Sequence, residues 1–219
     1  MAKGKTSVFF CQNCGFESAK WMGQCPACHE WNSFAEEVIS KKAVKSQPGT
    51  RGSSPAGPQR ARALSEIALD GESRITTGIG ELDRVLGGGI VPGSLILISG
   101  EPGIGKSTLI IQAANHIAKT TGRVLYVSGE ESEEQVKLRA DRVCGQIAEE
   151  LYIYPETSLE NVLDSAKELG PAFMIVDSIQ TMYSSEVEQV AGSVTQIRAC
   201  SNLLMTYAKT QNVPVFIVA

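Results

Sequence analysis

The sequence predicts an α/β domain, a mainly parallel sheet with helices on both faces, preceded by a small four-cysteine module. Three observations carry that prediction. From Leu64 onward short apolar runs alternate with helical patterns, a glycine-rich phosphate-loop pattern joins one such run to a helix, and four of the six cysteines fall within 18 residues. Leu95 to Ile98, Val124 to Val127, Leu151 to Tyr154, Phe173 to Val176 and Val213 to Val218 read as buried strands, because their apolar character is continuous rather than alternating. A helix from about Lys106 to Lys119 places Leu109, Ile110, Ala113, Ala114 and Ile117 on one face, and one from about Ser193 to Lys209 does so with Val194, Ile197, Leu204 and Ala208. Strand and helix in turn imply a parallel sheet covered on both sides.

Composition sets the class. At 219 residues, 42% hydrophobic and 20% charged, the chain is globular rather than disordered or fibrous. No apolar run reaches the roughly 18 residues of a membrane span, and the opening residues lack the apolar stretch of a signal peptide, so no membrane partner and a cytoplasmic location are expected. The net charge of -4 conceals an asymmetry: residues 1 to 65 carry 9 Lys+Arg against 4 Asp+Glu, and residues 66 to 219 carry 11 against 20. A basic front end is compatible with a polyanion partner, and equally with a solvated surface.

Cys11, Cys14, Cys25 and Cys28 form C-x2-C-x10-C-x2-C. Each pair offers two thiolates to one ion, and the residues between suffice for a turn that closes a tetrahedral zinc site. A module of about 35 residues is too small to stand on apolar burial, so a metal explains how it folds. Phe16, Trp21, Trp31 and Phe34 are expected to cap the site. His29 is expected at the surface or behind the ligands, since four thiolates already fill the shell. Cys144 and Cys200 fall in helical patterns, where a buried, inert role is expected. Disulfides, which fit a cytoplasmic chain poorly, and unlinked core cysteines are the alternatives for the cluster.

From Lys45 to Ala63 the sequence has no Val, Ile, Leu or aromatic residue, and nine of the 15 residues from Ser46 to Arg60 are Gly, Pro or Ser. That segment reads as a tether spanning about 20 Å on average. The resulting organisation is a cysteine module at 1–36, a flexible basic linker at 37–65 and an α/β core at 66–219.

Residues 100–107, GEPGIGKS, match G-x-x-x-x-G-K-[ST], directly after the run LILIS and before a helix. Gly100, Gly103 and Gly105 let backbone N–H groups turn inward on phosphates at a helix N-terminus, with Glu101, Pro102 and Ile104 completing the loop. Lys106 is expected to reach the β and γ phosphates, Ser107 to ligate Mg2+, and Thr108 to help on the α-phosphate side. The second metal carboxylate belongs at the end of a buried strand, and AFMIVDS supplies Asp177 there. Residue 178 is Ser, so the base that activates water does not follow Asp177 directly. Glu130, at the end of RVLYVS, is the candidate, with Glu131 as the alternative. Glu133 and Glu134 are expected to open the next helix.

Four stretches in order, CQNCGFESAKWMGQCPACHEWNSF, RITTGIGELDRVLGGGIVPGSLILISGEPGIGKST, VLYVSGEES and FMIVDSIQTM, resemble the bacterial RadA (Sms) family of RecA-related DNA repair ATPases. The phosphate-loop stretch alone is shared with RecA and KaiC; its joining to the cysteine module is the specific signal. The resemblance implies a RecA-like P-loop NTPase core with ATP, Mg2+ and Zn2+, and a DNA-dependent ATPase that promotes branch migration in homologous recombination. It further implies a homo-hexamer on single-stranded DNA and recombination intermediates, with a RecA-type recombinase as a further partner. Zinc ligands then fall on Cys11, Cys14, Cys25 and Cys28, the nucleotide loop on Gly100 to Ser107, the Walker B aspartate on Asp177 and the catalytic glutamate on Glu130. Family members continue through a Lys-Asn-Arg-Phe-Gly motif to a Lon-protease-like domain, so this chain is expected to be an N-terminal fragment, weakly active, with its DNA contacts lying beyond Ala219. RecA-like order would place the last strand between the Asp177 strand and the phosphate-loop strand, leaving Leu95 to Ser99 at an edge. The alternative is a KaiC-like, nucleotide-gated regulatory module whose zinc element recruits a protein.

Overall fold

Apolar runs of the α/β half pair into one parallel sheet. The structure is a computed structural model that describes residues 6–11, 16–39, 63 and 74–219. The chain divides into two compact units, Met1–Asp70 and Gly71–Ala219.

In the first unit, strands β1 (Thr6–Cys11), β2 (Glu17–Ser18) and β3 (Phe34–Ile39) form an antiparallel sheet in the order β2-β1-β3, with Cys11 opposite Phe34. Its small core is Cys11, Cys25 and Phe34, against which Phe9, Met22 and Cys28 pack. The aromatic cap expected from sequence is only partly present. Phe34 is 8% exposed, but Phe16, Trp21 and Trp31 are 38%, 54% and 66% exposed. The sulfurs themselves occupy the centre of so small a unit, and the two indole rings lie outside it against Gly23. Cys14, Gly15 and the tether residues 40–62, 64 and 65 lie outside the described residues.

The second unit holds β4 (Leu95–Ile98), β5 (Val124–Ser128), β6 (Leu151–Pro155), β7 (Phe173–Asp177) and β8 (Val215–Val218), in the order β4-β8-β7-β5-β6. Every pairing among them is parallel, and β8 sits between β7 and β4 as the RecA-like order requires. Helices α1 (Gly80–Val85), α2 (Lys106–Thr120), α3 (Glu133–Cys144), α4 (Leu159–Leu169) and α5 (Val194–Gln211) complete it.

Successive strand residues point to opposite faces, which sorts the core into two clusters. Val124, Tyr126, Phe173, Ile175, Phe216 and Val218 pack with α2 and α3. Leu125, Val127, Met174, Val176, Val215 and Ile217 pack with α4 and α5. Phe173 and Phe216 meet edge to face at 4.9 Å. The central strands β5, β7 and β8 are buried throughout but for Asp177 at the end of β7, whereas Leu97 of β4 and Tyr152 of β6 are 62% and 39% exposed. Continuous apolar character therefore overstated burial for these two strands, which lie at the two sides of the sheet and have one strand neighbour each.

The last strand starts at Val215 rather than Val213, because Val213 donates its N–H to Ala208 in closing α5 and Pro214 has none to give. Ser193 caps α5 by accepting from the Gln196 N–H, and Glu133 and Glu134 open α3 behind the Ser132–Gln135 capping box.

Candidate nucleotide and metal sites

The carboxyl ends of β4, β5 and β7 carry the three segments that the sequence singles out, where open parallel sheets gather their ligands. After β4 the loop turns at Gly105, whose φ of 101° is a left-handed conformation that favours glycine, and α2 begins at Lys106. The first helical hydrogen bond there runs from Leu109 N–H to Gly105 O at 2.9 Å. The N–H groups of Lys106, Ser107 and Thr108 thus precede the helical ladder at the positive end of a four-turn dipole. Lys106 Nζ folds back to donate to the carbonyls of Gly100 and Glu101, the latter at 3.1 Å. Its ammonium therefore already lies over the loop that phosphates would fill.

Asp177 ends β7, one strand removed from β4 across β8. Its Oδ2 accepts from Tyr126 Oη at 2.6 Å. Tyr126 is 1% exposed, and burial, reinforced by the Asp177 charge and hydrogen bond, pushes the phenol far above its usual range, so it stays a donor. Among the described residues Oδ1 accepts no hydrogen bond, which leaves one hard oxygen for a divalent cation, and Ser107 at the start of α2 offers a hydroxyl. The donor set fits Mg2+.

Glu130 follows β5, beside β7. Ser128 Oγ donates to Glu131 O at 2.8 Å and accepts from Glu131 N–H at 3.1 Å, a tight turn that projects Glu130 from the strand end. Ser178 Oγ donates to Glu130 Oε1 at 2.8 Å. Glu131, the alternative base, is engaged by the guanidinium of Arg139, which is 15% exposed.

Gly129 explains how these groups meet. Its N–H donates to Asp177 O at 2.8 Å, and a Cβ there would lie 1.8 Å from Thr181 Oγ1 and 2.7 Å from Thr181 Cβ. Gly129→Ala is expected to push the 178–182 segment outward and to cost about 1–3 kcal/mol as overpacking, lowering the melting temperature by about 5 °C. An unchanged thermal transition would contradict the close approach.

In the cysteine unit the sulfurs of Cys11, Cys25 and Cys28 lie within 4.8 Å of one another, Cys11 and Cys28 at 3.6 Å. Tetrahedral zinc with Zn–S bonds of about 2.3 Å sets its sulfurs about 3.8 Å apart, so the three thiols fit the ion. The fourth expected ligand, Cys14, lies outside the described residues. His29 N–H donates to Cys25 O at 2.8 Å and Cys25 N–H to Glu30 O at 2.9 Å, folding the second pair into a knuckle, while the His29 side chain is exposed. Ser33, 9% exposed, meets Cys11 Sγ at 3.2 Å.

Cys200 is fully buried, and burial above all pushes its thiol up to about 11; burial likewise raises Cys144. Neither favours a reactive thiolate. Cys144 borders a cleft of about 350 Å³ with Thr77, Asn115 and His116, along the later turns of α2, which includes none of the loop residues.

Tyr126, Ser178 and Ser33 escaped the sequence reading. The one signal was available at Tyr126: a tyrosine inside an otherwise aliphatic buried strand needs a partner for its hydroxyl.

Together these features define a P-loop nucleotide-binding α/β domain accompanied by a cysteine metal knuckle. The chain belongs to the AAA domain family, whose profile matches residues 61–219, and residues 9–36 match the profile described as a rubredoxin metal binding domain. Its resemblance to the bacterial RadA family extends over the whole chain: it is 49% identical to "DNA repair protein RadA" of Listeria monocytogenes, 48% to that of Halalkalibacterium halodurans and 47% to that of Bacillus subtilis. In each comparison 100% of this chain aligns with 47% of the relative, so it spans about half the length of these curated relatives. Among the described residues no helix is long and apolar enough to cross a membrane.

Proposed function

We propose that this chain carries the zinc- and ATP-binding portion of a DNA-dependent ATPase of DNA repair, which drives branch migration of recombination intermediates on single-stranded DNA. The observation that supports this reading most is the placement of Asp177 and Glu130 at adjacent strand ends of the sheet whose β4 leads into the phosphate loop, in a chain that also holds the cysteine knuckle. Residues 1–39 serve as the zinc module on Cys11, Cys14, Cys25 and Cys28, since β3 carries its sheet to Ile39 rather than ending at residue 36; 40–65 serve as a basic tether and 66–219 as the RecA-like core. The whole protein acts in the cytoplasm as a homo-hexamer, with a RecA-type recombinase as its further partner.

Gly100, Glu101, Pro102, Gly103, Ile104 and Gly105 wrap the triphosphate with Thr108, and Lys106 leaves the Gly100 and Glu101 carbonyls to neutralise its β and γ oxygens. Ser107 and Asp177 would hold a magnesium ion, which would supply neutralising positive charge to the triphosphate. Glu130 orients a water for in-line attack on the γ-phosphorus and accepts its proton, while ADP leaves.

Hydrolysis by the whole protein, at the length of its relatives, is expected to accelerate when single-stranded DNA is added, with DNA affinity falling steeply as salt rises. A flat response to DNA would favour a nucleotide-gated regulatory module. Glu130→Gln is expected to bind ATP with affinity within about threefold of wild type and to lose at least about 100-fold in kcat, since general-base assistance contributes about 10²–10⁴. Wild-type turnover in that variant would move the base elsewhere.

A further inference from the structure

Two hydroxyl–carboxylate pairs cross between the adjacent strands β5 and β7. Tyr126 of β5 donates to Asp177 at the end of β7, and Ser178, just past β7, donates back to Glu130, just past β5. Each carboxylate assigned to the chemistry thus has its own hydroxyl donor from the opposite strand. We propose that Ser178 is a positioning residue for ATP hydrolysis, fixing Glu130 through Oε1 so that Oε2 faces the attacking water. This inference rests on Glu130 being the base.

Glu130 is exposed at a turn, where a glutamate side chain samples many rotamers, and a carboxylate that wanders is seldom in reach of one water. Ser178 is 8% exposed and cannot wander with it. Thr181 Oγ1 donates to Ser178 O at 2.7 Å, and Thr181 itself lies against Gly129, so the serine's own backbone is tied to a packed residue. Among the described residues Oε2 of Glu130 accepts no hydrogen bond. One oxygen is therefore anchored and the other is open to a proton from water. Asp177, held separately by Tyr126, does not depend on the Ser178 hydroxyl.

The division gives a test with separable outcomes. In the whole protein, Ser178→Ala is expected to lower kcat about 10-fold or more while the affinity for an ATP analogue and the KM for ATP stay within about threefold. Ser178→Thr, which keeps the hydroxyl on an extended backbone (φ -117°, ψ 163°) that a β-branched residue accepts, is expected to restore kcat to within about threefold of wild type. In the Glu130→Gln background, Ser178→Ala should produce no further loss, because the two act as a unit. Wild-type kcat in Ser178→Ala, beside an inactive Glu130→Gln, would overturn the positioning role and leave the base assignment standing. A comparable loss of analogue affinity in Ser178→Ala would also overturn it, since it would show the hydroxyl supporting the fold or the metal. Full turnover in Glu130→Gln would remove the base assignment and this inference together.

Discussion

Lys106→Ala is expected to weaken nucleotide binding at least about 100-fold, with little change in the melting temperature. The ammonium now satisfies two loop carbonyls, Gly100 O and Glu101 O, and those are peptide oxygens that water can serve as well. Against a triphosphate the same group meets formal negative charge at the start of α2. Hydrogen bonds to charged groups contribute about 1.5–3 kcal/mol each, so contacts to two phosphates amount to about 3 kcal/mol or more, which is a factor of at least about 100. Substitutions away from packed contacts stay within about 0.5 kcal/mol of wild type in stability, and Lys106 is only half-buried at a helix start. Titration with a fluorescent ATP analogue checks the affinity and a thermal melt checks the fold. Binding within threefold of wild type would contradict the role given to this lysine.

Cys25→Ser is expected to release the zinc and unfold the first unit while leaving the α/β unit's transition in place. Cys25 is fully buried, and its sulfur lies with those of Cys11 and Cys28 at the centre of a core that otherwise contains little beyond Phe9, Met22 and Phe34. Structural zinc contributes about 10–16 kcal/mol to such modules, several times what the few buried side chains here can supply. Both tryptophans of the chain, Trp21 and Trp31, belong to this unit, so tryptophan emission reports on it alone. The variant should show less than one zinc per chain by metal analysis and an emission spectrum matching chelator-treated wild type. One retained zinc with an unchanged spectrum would contradict the assignment.

Much of the α/β unit was legible because its signals are local. Continuous apolar runs, a helix that begins at a glycine-rich loop, and an aspartate closing a buried run each require only neighbouring residues to interpret. The strands Leu95–Ile98 and Phe173–Asp177 and the helix Lys106–Thr120 match their expected positions to within a residue. What the sequence concealed depends on pairing. Nothing in the order of residues says that the Tyr126 hydroxyl reaches Asp177, or that Ser178 reaches Glu130 48 positions away. The exposure of Leu97 and Tyr152 likewise follows from their strands' places at the two sides of the sheet, which their own apolar runs do not encode. In the cysteine unit the spacing pointed to a metal, but the outward placement of Trp21 and Trp31 reflects how few residues surround the sulfurs, a property of size rather than of pattern. The sequence places Glu130 at the strand end, but it does not show that Glu131 meets Arg139 eight residues on.

The central claim is that the amides from Gly100 to Thr108 receive a triphosphate whose magnesium is shared by Ser107 and Asp177. A crystal structure with magnesium and a non-cleavable ATP analogue tests it most directly. The β and γ phosphates are expected within hydrogen-bonding distance of the Gly103 to Ser107 amides, with Lys106 swung from the loop carbonyls onto phosphate oxygen and one metal ion between Ser107 and Asp177. An analogue seated instead in the cleft of Thr77, Asn115 and His116, with the loop still closed on Lys106, would contradict it.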